Sequence, residues 1–437
     1  MLRNIFNYRG VIMKKLNNIT LVSGLALFSM FFGAGNLIFP PTIGLATASD
    51  WIIAMIGFLT TGVGLVMITV VATTKAGGSI NNLAGKVSPL FAKIFSTAII
   101  LCIGPGLAIP RTAATSYEII QSSLMPNLSP ILSSIIFFAI VLFFVVNPMN
   151  IIDRIGKILT PMLLIVLFLI ISKGIISPLG VPTGSKSGAF AFSFEGGYQT
   201  MDVLAALIFT TMIIKGFENK GITEVNQLNT LTIKSSFIAG FGLCIVYGGL
   251  VYIGATVSSL NLNELSKVEL LTYITHTLLG TTGNVLLALA MLLACITTAI
   301  GLLSTSAQYF TELTKNKLSY LAFVIIFTLF SAYFAVKGVE NIIAISAPVL
   351  VALYPVSIVL VISEFFRNKI KSKNFYYGAV LGAFYPTILT ILSSFGVSTD
   401  AASKLFIGIP DVYVAFNWIL PSIVLAFVFN LFGKKSK

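Results

Sequence analysis

Charge is scarce in this 437-residue chain: charged residues make up 9%, against roughly 25% in an ordinary soluble protein. A water-soluble fold of this length could not cover its surface with so few ionic groups. The 57% of hydrophobic residues therefore exclude a soluble globular protein and point to an all-α polytopic membrane protein. Histidine occurs once, as His276, and cysteine three times, as Cys102, Cys244 and Cys295. None of them falls in a metal-ligand spacing, and the cysteines lie far apart in apolar runs, as small hydrophobes do. Neither a metal centre nor a disulfide framework is expected.

Acidic groups are scarcer still. All 14 of them, Glu118 and Asp202 included, fall in loops or within about two turns of a predicted helix end. No carboxylate or histidine sits at a helix centre, where a proton relay would need one. No nucleophile–base pair lies inside the membrane, which argues against an intramembrane enzyme. A driving ion must then be held by backbone carbonyls and hydroxyls, which favours Na⁺ over H⁺. The net charge of +13 forms no contiguous patch and no soluble domain carries it, so nucleic acid is not an expected partner.

What the chain has in abundance is long apolar sequence. Runs of about 20 residues, the length that crosses the hydrocarbon, number twelve. They centre on 19–46, 51–74, 91–118, 130–148, 156–177, 199–216, 235–258, 281–310, 318–336, 339–366, 375–395 and 409–432. With both termini placed in the cytoplasm, the outer side keeps only Arg111, Lys173, Lys186, Lys267, Lys337 and Lys404. The other 21 of the 27 basic residues lie inside, the asymmetry expected of a multi-pass protein with an even number of spans. No cleavable signal peptide is recognisable, and Met13 looks like a natural start.

The most informative stretch is FSMFFGAGNLIFPP, Phe28 to Pro41. It lies inside the first apolar run, yet it carries two glycines, an asparagine and two prolines. Such a sequence breaks a helix at mid-depth, where exposed N–H and C=O groups are tolerable only if they line a cavity or hold a ligand. Span counting gives five runs, then five more in the opposite membrane orientation, then two, as an inverted repeat requires. The organisation is a cytoplasmic tail (1–18), a first five-helix repeat (19–178), an outer loop (179–198), a second repeat (199–366) and two C-terminal helices with a basic tail (367–437). Helices 1 and 6 should be the broken pair, the second interrupted near Phe209, Thr210, Thr211 and Met212. In the eighth run, Thr297 and Thr298 with the carbonyl of Ala294 could form one side of a Na⁺ cage. Gly240, Gly242, Gly248 and Gly249 suit close helix packing, and Trp51 and Trp418 suit interfacial anchors.

The opening motif resembles that of the bacterial branched-chain amino-acid:cation symporters. GPGLAIPRTA (Gly104 to Ala113), CITTAIG (Cys295 to Gly301) and YQTMD (Tyr198 to Asp202) are similar to that family too. The resemblance implies uptake of leucine, isoleucine and valine through a cytoplasmic membrane, with Na⁺ or in some members H⁺, on the broken-helix LeuT-type fold. It further implies that the carbonyls of Ser29 and Phe32 share a Na⁺ with Ala294, Thr297 and Thr298. The N–H groups around Gly33, Ala34 and Gly35 would receive the substrate carboxylate. Asn36 would join a second ion or the substrate, and Phe209, Thr210 and Thr211 would contribute from helix 6. In the H⁺-coupled alternative, Asp202 or Glu118 would titrate. Arg111 would snorkel, pair with Glu118 in an outer gate, or anchor its helix end.

Overall fold

The computed structural model describes residues 18–146, 160–260, 262, 264–370, 372–394, 398 and 416–432. The cytoplasmic tail with Met13, the basic residues Arg154 and Lys157, and the basic C-terminal end lie outside the described residues. The first predicted run divides into α1 (Asn18–Phe31) and α2 (Ala34–Thr47). Phe32 and Gly33 between them are not helical. The break follows from composition: Gly33 and Gly35 weaken the helix, and Pro40 and Pro41 cannot donate to the carbonyls of Asn36 and Leu37.

Next come α3 (Trp51–Leu59) and α4 (Val66–Lys75), joined by a π-helical turn at Thr60–Leu65, and the short α5 (Ile80–Ala84). A second π turn, Cys102–Gly106, joins α6 (Pro89–Leu101) to α7 (Ala108–Ser123), with Gly104 out of helical geometry. The first half ends with α8 (Pro130–Val145) and α9 (Thr160–Ile176). The second half opens with α10 (Ala189–Gly196), a 3₁₀ turn at Gly197–Thr200, and α11 (Asp202–Glu218). It continues through α12 (Val225–Thr256), α13 (Lys267–Leu313), α14 (Tyr320–Ala335) and α15 (Val339–Phe365). Last are α16 (Lys373–Ser394) and α17 (Ile419–Leu431). Each of the twelve apolar runs thus contains helix.

Five described segments (α2 through α4, α6 with α7, α12, α13 and α15) are long and apolar enough to cross a membrane, and α10 with α11, bent by 41°, makes a sixth when the pair is taken as one span. Phe143, Phe168, Phe241 and Leu329 stand more than half exposed on the outer surface, an apolar girdle of the kind a multi-pass membrane protein presents. Cys244, expected among the buried hydrophobes, is on that exposed surface, whereas Cys102 and Cys295 are buried.

Two sequence expectations need correction here. The range 179–198 is not loop throughout, because α10 and the first half of the 3₁₀ turn fall inside it. The break of helix 6 lies at Met201, not at Phe209 to Met212, through which α11 runs uninterrupted. Met201 takes the left-handed conformation at φ +62°, one that non-glycine residues rarely adopt. No local signal in the sequence announces it.

The core is organised by two helices. α13 packs along α7, α9, α14 and α2, while α12 lies along α2. The α2–α12 contact is backbone against backbone: a Cβ on Gly254 would collide with the Pro41 carbonyl, and one on Gly44 with the Val251 carbonyl. Further along α12, Gly240 and Gly242 admit Met67 and Phe28, and Gly249 admits Ile171, the close packing expected of these glycines. α16 and α17 pack chiefly on each other, with α16 also touching α15.

Candidate functional site

The two breaks meet at the centre of the bundle. Asn36, in the first turn of α2, accepts a hydrogen bond on Oδ1 from the Gly33 N–H (3.0 Å) and so spans its own break. Its Nδ2 donates to Asp202 Oδ2 (2.8 Å) and to the Tyr247 hydroxyl. Tyr247, from α12, donates in turn to the same Asp202 oxygen (2.8 Å). Asn36, Asp202 and Tyr247 are all at most 1% exposed. Their closed triangle ties broken helix 1, broken helix 6 and helix 7 together, and each polar group meets its desolvation cost with a partner.

Asp202 is thus where sequence reading placed no carboxylate. It is a helix-end residue, as expected, but the helix end is itself the middle of the sixth crossing. Its backbone N–H donates to Thr200 Oγ1 (3.3 Å) in the turn before it. The signal that could have found it is the motif YQTMD following AFAFSFEGG (Ala189 to Gly197), an aromatic segment that reads as a half-span rather than as loop.

On the other side of the first break lies a cluster of neutral oxygens. Ser29 Oγ donates to Thr297 Oγ1 (3.1 Å), and Thr297 Oγ1 donates to the carbonyls of Ser29 (3.1 Å) and Ala294 (3.0 Å). Thr298 Oγ1 donates to the Met30 carbonyl (3.2 Å). Ser29 and Met30 belong to the last turn of α1, whose carbonyls have no intrahelical donor and carry the negative end of the helix dipole. Thr297 and Thr298, although adjacent, both reach α1 because successive carbonyls of that turn point at them. Ser29, Ala294, Thr297 and Thr298 are therefore together as expected. Phe32 follows in the break: its N–H continues the helical ladder to the Phe28 carbonyl (2.8 Å), and its ring stacks on Phe28 and lies near Tyr247.

A small pocket of about 20 Å³ lies between the breaks. It is lined by Gly33, Ala34, Gly35, Asn36, Phe209 and Thr298 among the expected residues, and by Arg111, Thr112, Asp202 and several apolar side chains besides. Thr210 is buried beside it but donates to its own helix at the Ala206 carbonyl (2.6 Å). Thr211 faces elsewhere: it donates to the Gly78 carbonyl (2.6 Å) and lines a second cavity. That cavity, about 800 Å³, is a vestibule of mixed lining with Ser23, Asn81, Lys215, Lys220, Thr305 and Glu312 in its wall. Lys215 and Glu312 form an ion pair (3.3 Å) at its rim. The vestibule and the central pocket share α11 and α13 as walls: Phe209 and Leu302 line the pocket, and Ile208 and Ser304 line the vestibule.

Glu118 does not pair with Arg111. It accepts a hydrogen bond from the Val339 N–H (2.8 Å), capping the start of α15 where that helix's positive end favours a carboxylate.

This architecture, two broken helices crossing at a central pocket with a vestibule on one side, is the LeuT-type fold of membrane transporters. Solved structures share the fold. A Na⁺-coupled sialic acid symporter in a substrate-bound outward-open state superposes with TM-score 0.61 at 13% identity, covering 96% of this chain and 91% of that one. MhsT in complex with L-phenylalanine gives TM-score 0.54 at 14% identity, with coverage of 94% and 97%. The inward-facing conformation of Mhp1, a nucleobase-cation-symport-1 family transporter, gives 0.59 at 14%, with 94% and 90%.

The family follows from sequence. Residues 16–436 match the profile described as branched-chain amino acid transport protein, and the chain belongs to that family. The branched-chain amino acid permease BraB of Bacillus subtilis is 36% identical over 431 residues, 96% of this chain and 97% of its own length. The branched-chain amino acid transport system 2 carrier protein of Pseudomonas aeruginosa is 36% identical over 432 residues, 95% and 97% of the two chains. Permease BrnQ of B. subtilis is 34% identical over 431 residues, 95% and 98%. These relatives are permeases and carriers, not enzymes.

Proposed function

We propose that this protein imports leucine, isoleucine and valine across a bacterial cytoplasmic membrane by Na⁺-coupled symport and alternating access. The observation that carries the ion is the oxygen cluster at the end of α1. Ser29 and Thr297 hydroxyls, the Ser29, Met30 and Ala294 carbonyls, and Thr298 Oγ1 converge from two helices without a net charge, a donor set suited to a hard monovalent cation. The N-terminal turn of α2 offers its N–H groups to the substrate carboxylate from the facing side of the break. Phe209 and the apolar lining receive the aliphatic side chain. Such a surface gains only about 1–3 kcal/mol per methylene, so the three substrates compete with one another and charged amino acids do not.

The excess of basic residues supports a cytoplasmic vestibule, the side that carries Lys215 and Lys220. The conformation is then inward-facing, with both termini cytoplasmic and the girdle in contact with membrane lipid. Uptake of radiolabelled leucine into proteoliposomes tests the reading. An inward Na⁺ gradient alone should drive accumulation, and Thr297→Ala and Thr298→Ala should each raise the Na⁺ concentration for half-maximal uptake by about tenfold, the loss of one cation ligand. Uptake that follows a proton gradient and ignores Na⁺ would overturn the ion assignment. One observation favours that second reading: Asp202 is a buried carboxylate in direct contact with both breaks. Asp202→Asn would then uncouple uptake from pH.

A further inference from the structure

Arg111 has no role in the reading above, yet it is the most costly side chain in the site. It lies in the first turn of α7, just past the Cys102–Gly106 kink, and is 3% exposed. Its Nη1 is buried without a hydrogen-bond partner. A guanidinium carries five donors and cannot shed its proton, so leaving one buried and unpaired calls for an explanation. The group is aimed into the central pocket, which it lines together with Asp202, Thr112 and the turn from Gly33 to Asn36. A Cβ on Gly35 would stand 2.7 Å from Arg111 Nη2, so the second glycine of the break is what lets the guanidinium reach the start of α2. The Phe39 ring lies 5.8 Å from Cζ and steadies the cation from one side. The opposite charge of the pocket is Asp202, held by Asn36 and Tyr247.

A pocket that presents one fixed cation and one fixed anion, with apolar walls between, is complementary to a zwitterion. We propose that Arg111 receives the α-carboxylate of the substrate and Asp202 its α-ammonium, so that the pair selects α-amino acids over amines, acids and amides of the same side chain. The assignment rests on the transport reading above. The carboxylate would complete the guanidinium's hydrogen bonding while still facing the N–H groups of the α2 turn. The aliphatic side chain is left to Met30, Phe31, Ile103 and Phe209. Arg111 is then a substrate-binding residue, not an anchor of its helix.

Competition against radiolabelled L-leucine bound to the purified protein tests this. The competitors are L-leucine, L-leucinamide, which lacks the carboxylate, and 4-methylpentanoate, which lacks the ammonium. In the wild type both analogues should bind about 100-fold more weakly than leucine, because each leaves one buried charge unpaired. In Arg111→Gln, leucine should fall to the level of leucinamide, bringing their ratio to within about threefold. Arg111→Lys should retain part of the preference, since it keeps the charge but not the bidentate fork. A merely structural arginine predicts a different pattern, in which leucine and leucinamide weaken together and their ratio stays at the wild-type value. That result in either variant, or a wild type that binds leucinamide as well as leucine, would overturn the proposal. The wild-type comparison stands even if Arg111→Gln does not fold. A wild type that binds no leucine at all would instead refute the transport reading.

Discussion

Asn36→Leu is expected to reduce the initial rate of leucine uptake by roughly 100- to 1000-fold at equal protein content. The side chain closes its own break through the Gly33 N–H and joins two other helices through Asp202 and Tyr247. Removing it leaves a buried carboxylate with one fewer donor and a backbone N–H without an acceptor. Losses of that kind cost about 3–4 kcal/mol together, which is the stated range at tenfold per 1.36 kcal/mol. Leucine nearly preserves the volume, so packing is not the cause. Tyr247→Phe makes the internal comparison. It removes two bonds of the triangle, the one accepted from Asn36 and the one donated to Asp202, and keeps the Asn36–Asp202 bond (2.8 Å). It should lower the rate about ten- to thirtyfold, the worth of two hydrogen bonds at about 1 kcal/mol each. If Asn36→Leu transported within threefold of wild type, the triangle would have no part in the working geometry of the site.

The second large effect concerns the scaffold. Gly254→Val is expected to leave little monodisperse protein in detergent, with what remains melting well below the wild type. Its Cβ would fall on the Pro41 carbonyl, and the reciprocal glycine, Gly44, faces the Val251 carbonyl with equally little space. Neither obstacle is a flexible side chain, so relief requires moving a helix axis. Ordinary overpacking costs about 1–3 kcal/mol, and a collision with backbone should exceed that. Gly64→Ala serves as the control, because its Cβ would meet only the Leu59 carbonyl at 3.7 Å, an ordinary contact. Size-exclusion profiles and melting curves of the two variants decide the matter. Equal stability would mean that α2 and α12 can separate without loss.

Much of the architecture could be read from the chain because its signals are local. A long apolar run needs no partner to be recognised, and FSMFFGAGNLIFPP carries its break in its own glycines and prolines. The hydroxyl pair at Thr297 and Thr298 was legible for the same reason. The second break was not, because Met201 reaches its left-handed conformation through tertiary packing that leaves no mark in the sequence. Misplacing that break misplaced Asp202, which reads as the edge of a span and stands at the centre of one. It also misassigned Thr211. Once α11 runs unbroken from Asp202 to Glu218, three consecutive residues point in three directions about 100° apart. Phe209 faces the central pocket, Thr210 its own helix and Thr211 the vestibule. Arg111 was ambiguous for a related reason, since its direction depends on the π turn before α7 and not on its neighbours in sequence.

The central pocket's small size has a consequence for leakage. Its volume of about 20 Å³ is room for about one water molecule, beside a vestibule forty times larger. A pocket of that size holds no continuous file of water between the two broken helices. The barrier is the packed core itself, and only a molecule able to wedge the broken helices apart can open it. Tightness of coupling would then be a matter of how well Met30, Phe31 and Phe209 close behind the departing substrate, which makes these apolar side chains, rather than the charged ones, the guardians of the gradient.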